Sequence, residues 1–143
     1  SEFKELRFES ENYAKLALCC LNSNLFYWFI TVYSDCRHVN KREVDAFPID
    51  LLELSKGHEN KRLMELAGLL MKDLKDNSKN RVMRFKHDTL TVQCIYPMES
   101  KPIIDEIDMV LARHYGFSAE ELDFILNYDI KYRLGRSPEE GEE

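Results

Sequence analysis

The run "HENKRLMELAGLLMKDLKDNSKNRVMRFKHDTLTVQCIYP", His58 to Pro97, changes its hydrophobic period partway along, and that change decides the fold. In its first half Leu63, Leu66, Ala67, Leu70 and Leu74 recur at helical spacing opposite a charged face. This predicts an amphipathic helix over about 58–76, ending in "DNS". Beyond it the period becomes two. Met83 and Phe85 alternate with Arg84 and Lys86, and Leu90, Val92, Cys94 and Tyr96 alternate with Thr91, Gln93 and Ile95. With β-branched residues and a polar His87–Asp88 reversal, the stretch predicts a hairpin that Pro97 ends.

The flanks on both sides are helical. Glu11 to Leu21 places Tyr13, Leu16, Ala17, Cys20 and Leu21 on one stripe, and "NSN" at 22–24 supplies caps and a bend. Leu25 to Tyr33 is apolar almost all round, which predicts burial on most faces. Its aromatics are read as core, with a base-stacking platform as the other reading. Downstream, Ser100 is placed to cap a helix with Pro102 in its first turn and Ile103, Ile107, Val110 and Leu111 facing inward. Arg113 and His114 suit its negative end, and Gly116 its left-handed close. Ser118 with Glu121 forms a capping box for the next helix, with Phe117 and Leu122 as a staple and Leu122, Ile125 and Leu126 as its buried stripe. The expected fold is mainly α (α+β), a helical-bundle-like domain with one small β-hairpin.

Its 143 residues suit a single domain able to bury roughly 70% of its unfolded surface. The expected organisation is one domain over 4–136: an N-terminal helical part at 4–50, the amphipathic helix at 51–80, the hairpin at 81–97 and C-terminal helices at 98–136. "SEF" at 1–3 has the look of vector residues, so the chain is read as a piece of a longer protein, and the acidic tail at 137–143 is expected to be disordered. No apolar run reaches the roughly 18 residues of a membrane span. The four cysteines form no C-x-x-C pair and fit a reducing cytoplasm, with Cys19 and Cys20 as core residues.

Net charge is −6 but uneven. Residues 56–101 carry ten Lys/Arg against six Asp/Glu, while residues 102–143 carry four against eleven. The positive middle peaks at "KNRVMRFK", where Lys79, Arg81, Arg84 and Lys86 stand without an acid. Such a run is either solvated surface or an electrostatic footprint for nucleic acid. The second cationic stretch is "YSDCRHVNKREVDAFPI", Tyr33 to Ile49. Asn40 and Glu43 predict a capped short helix from Lys41 to about Phe47, stopped by Pro48. Lys41 and Arg42 in its first turn oppose the helix dipole by a few tenths of a kcal/mol. Arg37 and His38 lie just upstream. The stretch either holds an anion or is a capped surface connection.

The five glycines form no phosphate loop, no two prolines adjoin, and no serine sits in a nucleophile elbow. Carboxylate pairs such as Asp105/Asp108 and Glu120/Asp123 are read as solvated helix surface. Nothing here points to catalysis, a metal or a cofactor.

Two runs carry a resemblance. "LALCCLNSNLFYWFITVYSDCRHVNKREVDAFPI" (16–49) resembles the segment that ends the target-recognition region of adenine-specific DNA methyltransferases with TaqI-like specificity domains, found in restriction–modification enzymes. "KPIIDEIDMVLARHYGFSAEELDFILNYDIKYRLGR" (101–136) resembles the extreme C-terminus of the same large proteins. Asn40, Lys41, Phe47, Pro48 and Ile49 match the family's Asn-Lys landmark. The resemblance implies a non-catalytic C-terminal fragment that contributes to recognition of double-stranded DNA and adjoins an upstream methyltransferase domain. S-adenosylmethionine and the Asn-Pro-Pro-Tyr motif then belong to the parent chain, and a fused nuclease is possible. Candidate DNA contacts are Arg37, His38, Asn40, Lys41, Arg42, Lys79, Arg81, Arg84 and Lys86. The alternative is a helical scaffold that docks on the rest of its chain or on a partner subunit.

Overall fold

A computed structural model describes residues 4–130 and Arg133. In chain order the elements are α1 (Glu11–Asn22), α2 (Asn24–Tyr33), α3 (Lys41–Ala46), α4 (Leu51–Lys56) and α5 (Asn60–Asp76). There follow β1 (Lys79–Arg84), β2 (Thr89–Cys94), a 3-10 turn (Pro97–Ser100), α6 (Lys101–Tyr115) and α7 (Ala119–Asn127). The described chain is a mainly helical domain with one antiparallel hairpin, as its two hydrophobic periods predict. The expected tail at 137–143, the residues at 1–3 and most of 131–136 lie outside the described residues.

α1 packs against α2, α4, α5 and α6, and α5 packs along α6. Their shared interior holds Leu16, Leu54, Leu63, Leu66, Leu70, Ile107 and Leu111, all essentially without solvent contact. Each such side chain contributes roughly 1.5–3 kcal/mol by leaving water. Cys19 and Cys20 are core residues too, and the Cys19 thiol donates to the Leu63 carbonyl at 3.3 Å. Burial pushes both thiols up to about 12. No single helix among the described residues is long and apolar enough to cross a membrane.

Several local readings change. The 51–80 segment holds two helices, because Asp50 accepts the N–H groups of Leu52 and Glu53 at 2.9 and 3.0 Å and starts α4. Gly57 then closes α4 before α5 begins. The hairpin starts at Lys79, two residues earlier than expected. Its reversal is also one residue earlier: Arg84 faces Thr89 and the Phe85 N–H donates to the Asp88 carbonyl at 2.8 Å, leaving Lys86–His87 as the loop. Ser100 precedes α6 without capping it, and its hydroxyl donates to Asp73 Oδ2 at 2.6 Å, tying α6 to α5. In α6 it is Ile104 that is buried and Ile103 that is half-buried.

The largest corrections concern α2. Only its first turn is buried; Trp28, Phe29 and Ile30 are half-buried against the edge of the core, and Val32 and Tyr33 are exposed. Asp108, expected on solvated surface, is 2% exposed. Its carboxylate accepts the backbone N–H groups of Asn24 and Leu25 at 2.8 and 3.0 Å and the Asn24 amide at 2.7 Å. A residue 84 positions away thus satisfies the N–H groups at the start of α2. Ser23 completes the joint by accepting the Phe26 N–H at 3.0 Å and donating to the Cys20 carbonyl at 2.6 Å.

Candidate nucleic-acid interface

The structure places the nine sequence-derived candidates on two separate elements. Asn40, Lys41 and Arg42 gather at the start of α3, with Arg37 and His38 exposed in the loop before it. Glu43 returns to the Asn40 N–H through Oε2 at 2.8 Å, as the capping pattern requires. The Asn40 side-chain oxygen meanwhile accepts from Lys4 Nζ. Lys41 pairs with Asp45, and Arg42 reaches Glu43 Oε1 through Nε at 3.0 Å and Nη2 at 2.7 Å. Glu43 is itself buried at 1% exposure. The Arg42 hydrogen bond, followed by the Asn40 N–H, holds its carboxyl below the ordinary range. The charge conflict in this helix's first turn is therefore offset by the chain's own carboxylates, while the Lys41 and Arg42 side chains themselves stay largely exposed.

The hairpin differs. All six residues of β1 are exposed, and in β2 only Val92 and Cys94 are half-buried. A ribbon packed on a core would hide one face; this one stands off the helices with both faces open. Among the described residues Arg81, Arg84 and Lys86 have no carboxylate partner. Lys79 lies over the Tyr96 ring at 5.8 Å, at the base of the ribbon.

The register sorts the side chains. Residues directly opposite in an antiparallel pair share a face. The pairs Lys79↔Cys94, Arg81↔Val92 and Met83↔Leu90 make one face largely apolar, with Phe85 continuing it. Asn80↔Gln93, Val82↔Thr91 and Arg84↔Thr89 make the other largely polar. Asn80, Thr89, Thr91 and Gln93 escaped the sequence reading because it counted cations; the signal was the two-residue alternation, which needs a fixed register before it names a face.

A separate open cleft of about 890 Å³ lies between residues 4–8, the α1–α2 corner and α3. Its wall is mostly apolar, including Leu6, Phe8, Phe26, Ile30, Val39 and Val44. Arg133 reaches its edge, donating to Asn24 Oδ1 and lying 4.3 Å over the Tyr27 ring.

The chain matches no family model, no curated protein and no solved structure.

Proposed function

We propose that this chain is the C-terminal part of the DNA-recognition region of an adenine-specific restriction–modification methyltransferase. It is a non-catalytic module that contacts double-stranded DNA through the β1–β2 hairpin. The single observation supporting the DNA contact is a ribbon open on both faces whose cations Arg81, Arg84 and Lys86 lack carboxylate partners among the described residues; the parent family rests on the sequence resemblance alone. A phosphate backbone is the complement such a ribbon fits. S-adenosylmethionine and the methyl-transfer chemistry belong, on this reading, to an upstream domain of the parent chain.

The test is binding of a fluorescent duplex followed as salt is raised. Affinity should be weak and fall steeply with salt, by a log–log slope of about −0.9 per phosphate contacted. Replacing Arg81 and Lys86 by alanine together should flatten that slope by about 2. Lys41→Ala with Arg42→Ala should change it little, since both cations are already paired. No detectable duplex binding at about 50 mM salt would defeat the proposal.

The cleft favours a second reading, docking on the rest of the chain or a partner subunit, since an open apolar wall is what a packed segment covers. Here Val39→Asp with Val44→Asp should abolish co-purification with the upstream methyltransferase domain and leave duplex binding intact.

A further inference from the structure

We infer that the hairpin face formed by Asn80, Arg84, Thr89, Thr91 and Gln93 is the sequence-reading surface, entering the major groove with these side chains against base edges. The inference rests on the DNA-binding reading and assigns within it which face reads and which residues discriminate. The paired positions 80↔93, 82↔91 and 84↔89 put these groups side by side along one face, and every one of them is exposed. That face carries no carboxylate. The opposite face ends at Asp88 and, apart from Lys79 and Arg81 toward its base, is built from Met83, Phe85, Leu90, Val92 and Cys94, whose side chains offer a base edge no strong donor or acceptor.

The chemistry of the polar face is specific. An asparagine or glutamine amide donates and accepts at once, as adenine N6 and N7 require, and a guanidinium fork matches guanine O6 and N7. Threonine hydroxyls serve either base, and the Val82 and threonine methyls suit the thymine methyl. Of these polar side chains only Gln93 has a partner among the described residues, donating to Ser78 Oγ at 2.8 Å, so the others have hydrogen-bonding capacity to offer. The shape also fits: two strands about 4.8 Å apart form a ribbon that the ~12 Å major groove admits. Strands of six residues, roughly 20 Å long, cover about one half-turn of duplex.

The experiment selects binders for the 143-residue chain from a random-sequence duplex pool and repeats the selection with single variants. The wild type should enrich a short motif. Arg84→Ala should lose roughly tenfold discrimination at one position of it, with Asn80→Ala and Gln93→Ala relaxing others to a similar degree. Met83→Ser with Phe85→Ser, on the opposite face, should leave the motif unchanged. Circular dichroism melts of each variant should match wild type, since all these positions are exposed. Salt-sensitive binding with no enriched motif, or a motif that survives all three polar-face substitutions, overturns the assignment and leaves the DNA-binding reading standing. Failure of the wild type to bind any duplex removes both.

Discussion

Asp108 gathers three N–H donors inside the protein and is the most consequential single side chain away from the hairpin. Burial pushes its carboxyl from 3.8 up to about 6, although the bonds from Asn24 and Leu25 pull it down. A folded value above the unfolded one means the native state holds the proton more tightly. The stability from this group is present in full below about 3.8 and is lost as pH rises through about 6. Two units correspond to about 3 kcal/mol. Glu43 runs the other way: its lowered carboxyl contributes stability above its ordinary range that is lost on acidification. Subtracting one protein from another isolates Asp108. The stability of Asp108→Asn relative to wild type should rise from pH 4 to pH 7 by up to about 3 kcal/mol, read by urea denaturation. A difference independent of pH would show that the bound N–H groups cancel the burial. Gly116 is a second residue with a definite role. It closes α6 at φ +73°, and a Cβ there would meet nothing within 4 Å. Gly116→Ala should therefore cost about 1 kcal/mol from backbone strain alone, measured by the same denaturation.

Among the elements, the hairpin and the helices differ in what holds them. A lone two-stranded ribbon is marginal in water, and this one hides neither face on the helical body. Replacing residues 79–94 with a short Gly-Ser linker should leave helical content beyond the hairpin intact. Global stability should change by only about 0.5 kcal/mol, while duplex binding is lost. Thermal melts and the duplex assay read the two effects separately. A large drop in melting temperature would mean that the ribbon braces the bundle. The joint between α1 and α2 behaves otherwise, since its bend of 64° is fixed from outside, by α6. Short sequence signals work where both partners are local: Asn40 with Glu43, Ser118 with Glu121 at 3.1 and 2.8 Å, and Gly116 all act within one turn.

The whole molecule is held by one interior shared among α1, α4, α5 and α6. Leu66 is 1% exposed and Leu69, three residues on, is 48% exposed. Leu66→Ala should cost about 2–5 kcal/mol and Leu69→Ala under about 0.5, by chemical denaturation. One shared core also predicts a single transition for both probes of secondary and tertiary structure. Charge is divided on the same scale, with the cations of 79–86 on an open ribbon and the acids of 102–129 on α6, α7 and their surroundings.

The amino-acid sequence by itself determined every helix but α4, the hairpin and most of their ends, because periodicity, capping pairs and a left-handed glycine act through neighbours within a few residues. It also located both groups of cations. Only the tertiary structure decided which cations are already paired, which face of the ribbon is polar, and that Asp108 is interior. Asp108 looked like an ordinary surface acid, and the burial of the capping residue Glu43 left no local mark either, since what buries a carboxylate is the packing of other elements around it. A partner 84 positions away leaves no mark on local spacing.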